Sequence, residues 1–345
     1  MSTPMALLTR IDGGIRLAVP RVIASNSTHR LSVACRYLAI FVSLLPALSA
    51  VADTPAPVEK LRQMAHSLRA LDYEGSFVFQ SGARVDTLRI VHSAAGDESE
   101  RLTRLSGPPS EATRHGQSIT VRQDGQPPVS FAAGATARLL PLVPTDAAAL
   151  PNANYRLRMA KPDRVAGYDT NVVDISATDP YRYSFRLWLD KQHQLPLRVA
   201  VIDDNQRTVE QYMFVVLSIG GAPAKGGPDV ATPTVSTPAV VALGGNARWL
   251  VNDLPTGYSL RARQTMSPNK DSEQLVFSDG LASVSAYIEP TPEPITDDVA
   301  LSRGAMNVYI HRDRGWRYTV LGNVPAATVQ RIAVSISELG GGKPN

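Results

Sequence analysis

The run "YRYSFRLWLDKQHQLPLRVAVIDDNQRTVEQYMF", Tyr181 to Phe214, constrains the fold more than any other part of the chain. Side chains on a strand point alternately to opposite faces, so this stretch reads as strand, turn, strand, turn, strand, with two distinct faces. Tyr183, Phe185, Leu187 and Leu189 share one face, while Ser184, Arg186 and Trp188 share the other. After the turn, Leu195, Leu197, Val199 and Val201 repeat the alternation. The same period of two appears in "YEGSFVFQ" (Tyr73 to Gln80), "RVDTLRIVHS" (Arg84 to Ser93), "ERLTRLSG" (Glu100 to Gly107) and "QSITVRQ" (Gln117 to Gln123). Gly, Asp, Ser and Pro separate these segments, which predicts an antiparallel meander.

A sheet with one apolar face needs a cover. Val58, Leu61, Met64, Ala65, Leu68 and Leu71 recur at helical spacing and predict an amphipathic helix over about Ala56 to Leu71. From Phe131 to Tyr155 the chain turns Ala-, Leu- and Pro-rich, and Pro141, Pro144 and Pro151 cut it into short helices that could cap the sheet. Sheet signals then resume and end near Ile219.

A chain of 345 residues exceeds the roughly 100–200 of one domain, so two folded units are the default. Gly220 to Gly245, rich in Gly, Pro, Ala and Thr and without periodicity, reads as the linker between them. Beyond it, "RWLVNDLPTGYSL" is followed by two hairpins. One turns at Asp279-Gly280 and the other at Asp313 to Gly315. "PAATVQRIAVSISEL" (Pro325 to Leu339) reads as a terminal helix with Pro at its start and Gly340 to Gly342 as its stop. The expected partition is a leader at 1–52, domains at 53–219 and 246–340, a linker at 220–245 and a tail at 341–345.

The leader is a displaced secretory signal. Arg30 and Arg36 flank the short apolar run "YLAIFVSLLPALSAVA", and Ala50-Val51-Ala52 supplies an A-x-A site with cleavage expected after Ala52. An internal start codon encoding a residue such as Val33 would explain the thirty or so residues ahead of it. The run is shorter than the ~20 residues of a membrane span and contains Pro46. Cys35, the only cysteine, precedes the apolar run, which argues against lipidation. Removing residues 1–52 takes five Arg and one Asp, leaving 30 basic and 30 acidic residues of the original 35 and 31. The mature chain is then neutral, which removes the bulk-charge argument for a nucleic-acid partner. Without cysteine it also suits an oxidising compartment such as the periplasm.

No common catalytic pattern appears. His66, His92, His115, His193 and His311 are scattered without metal-ligand spacing, and no G-x-S-x-G, Walker or G-x-G-x-x-G motif is present. Ser267-Pro-Asn-Lys270 fits S-x-x-K, but Pro268 and its loop-like setting argue against the helical turn that motif needs. Asp203-Asp204 and Asp297-Asp298 read as solvated turn carboxylates. No catalytic residue, metal or cofactor is expected.

Apolar geometry is what remains. Most alternating apolar positions are simply core. The sharper reading is a curved sheet whose concave side forms a trough for an acyl chain or apolar peptide, lined by Phe77, Phe79, Leu88, Ile90, Tyr183, Phe185 and Leu187. A slip of one residue in register would exchange the faces, so sequence leaves the inward face open.

The order of helix, "YEGSFVFQ", "LRIVHS", "ERLTRLSGPPSEATRHG", "VAGYDTNVVDISATDPYRYSFRLWLDKQHQLPLRVAVIDDNQRTVEQYMF", linker, "LPTGYSL", "LVFSDGLASVSAYIE" and "GNVPAATVQRIAVSI" resembles the RseB/MucB family of periplasmic regulators of the sigma-E envelope-stress response. The likeness spans nearly the whole mature chain and is most specific around Tyr183 to Gln211 and at Ser278-Asp279-Gly280. It implies a mixed α+β, sheet-dominated fold. The N-terminal part would be an open half-barrel of antiparallel strands capped by helices, like the lipoprotein carriers. A smaller C-terminal antiparallel sheet domain would carry a terminal helix. It also implies a binding function without catalysis, in which the protein holds the periplasmic part of an RseA/MucA-like transmembrane anti-sigma factor and shields it from site-1 proteolysis. Lipopolysaccharide or lipoprotein acyl chains would release the shield. The anti-sigma contact is expected in the C-terminal domain and the inter-domain cleft, with no single residue assigned, and a homo-oligomer stays open. The alternative function is a lipoprotein or lipid carrier.

Overall fold

A computed structural model describes residues 56–132, 138–143, 153–221, 248–266, 271–292 and 297–339. The leader, the linker from residue 222 onward and the S-x-x-K motif lie outside the described residues. The first element is the expected amphipathic helix, α1 (Ala56–Ala70), which buries Val58, Leu61, Met64 and Leu68 along one stripe. Six strands follow as a meander: β1 (Tyr73–Ser81), β2 (Arg84–Ser93), β3 (Ser99–Arg104), β4 (Ser110–His115), β5 (Ser118–Gln123) and β6 (Val129–Ala132). After the cap segment come β7 (Tyr155–Val165), β8 (Tyr168–Ala177), β9 (Ser184–Asp190), β10 (Pro196–Ile202) and β11 (Thr208–Ile219).

These eleven strands form one antiparallel sheet in the order β6-β5-β4-β3-β2-β1-β11-β10-β9-β8-β7, with β6 and β7 as its unjoined edges. The sheet curls strongly. The Tyr168 hydroxyl on β8 donates to the Leu217 carbonyl on β11 at 3.0 Å, although three strand spacings of about 4.8 Å would separate them on a flat sheet. The result is a half-barrel that does not close.

Register fixes the inward face. Val173 pairs with Leu187, Leu187 with Val199, Val199 with Tyr212 and Tyr212 with Phe79, a continuous row across five strands. In the next row Phe77 opposes Phe214 on one side and Leu88 on the other. Phe77, Tyr212 and Phe214 meet edge to face, with centroids 5.4–6.0 Å apart. Glycine at position 75 is required by this cluster, because a Cβ there would lie 2.8 Å from the Phe214 ring and 2.6 Å from the Val216 carbonyl. Trp188 and Arg186 point to the convex side, where Arg198 stacks over Trp188 at 4.2 Å and Arg186 bonds Asp174.

Within the predicted cap, Arg138–Val143 contains no helix. It is a turn that buries Leu140 and packs Leu139, Leu142 and Val143 on the core. The rest of the expected short helices lie outside the described residues, apart from Phe131 and Ala132, which belong to β6, and the turn at Ala153–Asn154. The alternation in the sequence predicts neither β4 nor β6. "SEATRH" has no clean apolar alternation, and its strand character comes from ladders on both sides.

The second part holds β12 (Trp249–Val251), β13 (Ser259–Thr265), β14 (Glu273–Ser278), β15 (Ser283–Pro290), β16 (Val299–Arg303), β17 (Met306–Asp313), β18 (Trp316–Gly322), α2 (Ala326–Val334) and β19 (Ile336–Glu338). Six of these strands form a sheet in the order β13-β14-β15-β18-β17-β16, while β12 pairs with β19. α2 buries Val329, Ile332 and Ala333 on a core of Trp249, Phe277, Ile288 and Val320. The terminal helix is shorter than its pattern predicts. It stops at Val334, where the Ser335 N–H bonds the Ile332 carbonyl, and Ile336–Glu338 becomes a strand. The periodicity runs on, but β12 offers a ladder that a helix could not use, and β-branched Ile336 favours the extended form. Both parts belong to one unit, Ala52–Asn345.

Candidate binding site at the junction of the two sheets

The β14–β15 turn carries Asp279. Its Oδ1 accepts the backbone N–H groups of Leu281 and Ala282 at 2.9 and 2.8 Å, the Asx geometry that an Asp-Gly turn favours. Its Oδ2 is thereby aimed at the half-barrel, where it accepts from Arg182 Nε at 2.9 Å and from the Tyr155 hydroxyl at 3.0 Å. Arg182 also donates to the Thr256 carbonyl at 2.7 Å and to Asp179. Its guanidinium lies 5.1 Å from the Tyr258 ring centroid and 5.7 Å from that of Tyr155. Both charged side chains are fully buried. Buried ions are tolerated only when paired and saturated with hydrogen bonds, and this pair is. Burial, reinforced by Asp279, pushes the Tyr155 and Tyr258 phenols far above their ordinary pKa, so both remain hydrogen-bond donors.

Around this pair the two sheets interlock. The Tyr181 carbonyl accepts from Thr328 Oγ1 at 2.7 Å and from the Tyr258 hydroxyl at 3.3 Å, and Arg331 lies over the Tyr181 ring at 4.6 Å. Asn307 Nδ2 donates to the Tyr183 hydroxyl at 3.0 Å and to the Val324 carbonyl at 2.7 Å. The tip of the β16–β17 hairpin enters the half-barrel's end. There Ala305 is buried against Tyr183 and Val201. Gly304, at φ +60°, abuts Ser81 and Glu210 so closely that any side chain would strike them.

Beside this tip lies a cavity of about 510 Å³ walled by both sheets. Phe79, Leu88, Leu102, Leu142 and Met306 make its apolar lining, and Arg84, Arg104 and Arg303 stand with Asp86 and Glu210 around it. Of the residues the sequence put forward as a trough lining, Phe79 and Leu88 line this cavity. Phe77, Ile90 and Leu187 are fully buried in the core, and Phe185 packs against it partly buried. Tyr183 sits in the junction instead. Arg182, Asn307 and the hairpin tip carry no local pattern that marks them as junction residues. What signal there is lies in the two segments where the family likeness is most specific, around Tyr183 and Ser278-Asp279-Gly280, which meet at the Arg182–Asp279 pair.

A second buried polar cluster ties the cap segment down. Glu100 accepts from Arg114 Nε at 3.0 Å and from the Leu139 N–H at 2.7 Å. Glu98 lies 2.8 Å from Arg114, 3.4 Å from Arg138 and 3.2 Å from His92 Nε2. Burial alone would raise the Glu98 pKa, but the His92 hydrogen bond and the two guanidinium groups outweigh it and hold it below the usual value. Asp203 stays in a turn, bound by Arg207, and Asp298 accepts from Tyr309 and pairs with His311. Among the described residues no group of three or more His, Cys, Asp or Glu could hold a metal ion.

A half-open barrel locked onto a second sheet, with a cavity walled by both, is the architecture of a two-sheet binding protein. The chain belongs to the MucB/RseB family: residues 56–237 match the MucB/RseB N-terminal domain and residues 244–337 the MucB/RseB C-terminal domain. It is 31% identical over 310 residues to the sigma factor AlgU regulatory protein MucB of Pseudomonas aeruginosa, covering 85% of this chain and 95% of that protein. It is 28% identical over 291 residues to the sigma-E factor regulatory protein RseB of Escherichia coli, covering 82% and 91%. Its fold matches MucB in the solved Pseudomonas aeruginosa MucA/MucB complex at TM-score 0.65 and 27% identity, over 83% of this chain and 99% of that one.

Proposed function

We propose that this protein is a periplasmic negative regulator of a sigma-E-type envelope-stress response. It binds the periplasmic part of a transmembrane anti-sigma factor and shields it from site-1 proteolysis. The observation that carries this reading is the match, over most of the chain, to MucB as solved in complex with MucA. The signal-like leader agrees with export. The chain works as two domains, 53–219 and 246–340, joined by the 220–245 linker, a division supported by the two family segments at 56–237 and 244–337.

Release comes from lipopolysaccharide or a mislocalised lipoprotein. The cavity supports this, because its lining is apolar, three arginines stand around it, and each sheet supplies part of its wall. A ligand that prefers the free regulator weakens anti-sigma binding by the same factor as the reverse. The function is binding, with no catalytic step. The test is to mix the purified protein with the periplasmic fragment of the anti-sigma factor encoded by the same genome. Slowed cleavage by the site-1 protease, reversed by added lipid A, is expected. No binding at micromolar concentrations would end the proposal.

A lipoprotein or lipid carrier is the second reading, favoured by the same cavity. A carrier hands bound lipoprotein to an acceptor, and a regulator does not, so a transfer assay separates the two.

A further inference from the structure

His66 and His193 show no metal-ligand spacing in the sequence, yet the fold sets them on the two walls of one cleft. The cleft holds about 610 Å³ between α1 and the β9–β10 turn, and Gln63 and Gln192 stand beside the two histidines. Ser67, the residue after His66, donates its hydroxyl to the His193 carbonyl, 126 positions away, which fixes the turn against the helix. The two imidazoles therefore border the same open space.

His193 is held more firmly than a turn residue at the surface needs to be. Asp190, only 2% exposed, accepts the His193 backbone N–H at 2.6 Å and His193 Nδ1 at 3.0 Å through the same Oδ2. The next residue, Gln194, sits at φ +60°, a conformation that costs a non-glycine residue free energy. Its amide accepts from Asn171 at 3.1 Å and donates to the Lys191 carbonyl at 2.8 Å. A carboxylate on Nδ1 keeps the proton there and leaves a lone pair on Nε2, the arrangement found around metal-bound histidines. His193 Nε2 has no partner among the described residues, and neither does the exposed His66 ring.

Glu59 also lines the cleft, but it is tied to Arg62 and Gln63 and lies two helical turns, roughly 10 Å, from His66. The cleft thus offers two nitrogens and no carboxylate beside them, so it falls outside the groups of three or more ligating residues. Imidazole nitrogens suit Zn²⁺, Ni²⁺ and Cu²⁺, whereas Mg²⁺ and Ca²⁺ take oxygen ligands.

We propose that His66 and His193 form a binding site for a late first-row divalent cation, which clamps α1 to the β9–β10 turn. Water completes the coordination. Asp190 is a positioning residue that sets the tautomer of His193. Because α1 buries Leu61, Met64 and Leu68 in the core, an ion shared with the turn holds this covering helix on the sheet. His311 is the internal contrast: Asp298 orients its ring in the same way at 2.8 Å, but that ring stacks on Tyr318.

The test uses the tag-free chain expressed with its own leader and carrying Cys35→Ser, so that no thiol competes for metal. Calorimetric titration with Zn²⁺ should show about one equivalent bound in the micromolar range, and hydrogen exchange from Leu61 to Leu68 should slow on binding. His66→Ala and His193→Ala should each weaken binding about tenfold or more, while His311→Ala leaves it unchanged. Asp190→Asn should weaken it about 10–100-fold with both imidazoles in place. The ring ¹⁵N shifts of His193 should then report the exchanged tautomer, a change that loss of stability alone does not produce. No binding at millimolar Zn²⁺, or binding that survives either histidine substitution, would overturn the proposal.

Discussion

The inner wall of the half-barrel and the junction between the sheets are both fully buried, yet they are built from opposite materials. The wall is Phe77, Ile90, Leu187, Val199, Tyr212 and Phe214, held by close packing and the removal of apolar surface from water. The junction is Arg182, Asp279, Tyr155, Tyr258 and Asn307, held by directed bonds that each need one particular partner. A packed wall tolerates exchange of one apolar residue for another of similar volume. A buried charge network does not, because removing one partner leaves the other charged and unpaired. The wall thus keeps the half-barrel folded, while the junction fixes one arrangement of the two sheets.

Breaking the comparison at its strongest point means Asp279→Ala, which strips buried Arg182 of its buried counter-ion, leaving only the partly exposed Asp179, and leaves the Tyr155 hydroxyl without its acceptor. The expected loss is about 3–5 kcal/mol. It should appear as early separation of the two sheets: the second sheet loses hydrogen-exchange protection first, while the half-barrel keeps its own unfolding midpoint. Phe77→Ala should cost a similar or smaller amount, about 3–5 kcal/mol, but through a cavity in the wall. Denaturant unfolding should then show the half-barrel itself melting earlier, with the second sheet unaffected. If the two variants gave the same pattern, the distinction between wall and junction would fail.

The mildest probe is pH. Glu98 has a depressed folded-state pKa, so its contribution is fully present above its ordinary value of 4.5 and fades as pH falls through the depressed value. The protection factor of the Leu139 amide, corrected for the intrinsic exchange rate at each pH, should therefore fall below about pH 4.5 before that of the wall does. Glu98→Gln should flatten that dependence.

Much of this was legible along the chain. β1 and β2 fall where the alternation placed them, and α1 ends within a residue of its predicted limit, because both patterns follow from faces that must be buried. The inward face of Phe185 and Leu187 was not legible, since period two fixes that two faces exist but not which one is covered. β4 escaped for a related reason. A strand ordered by ladders on both sides needs no apolar alternation of its own. The terminal helix is shorter than its pattern because "AVSISEL" continues a helical stripe, while β12, some 85 residues earlier, captures Ile336–Glu338 as a strand. The predicted helix is absent at Arg138–Val143, where Glu100 on β3 accepts the Leu139 N–H and Glu98, just before β3, holds the Arg138 side chain.

By itself, then, the sequence determined the sheet-dominated class, the covering helix and the two-part order. Each is a local pattern set by side-chain periodicity or composition. Only the tertiary structure decided that Arg182 meets Asp279, that the Gly304-Ala305 tip enters the half-barrel, and that the cavity has walls from both sheets. Those contacts join residues about 90 to 220 positions apart, and nothing in the covalent chain ranks one such pairing over another. They are selected only when the apolar faces have been buried and the remaining charges must each find a partner.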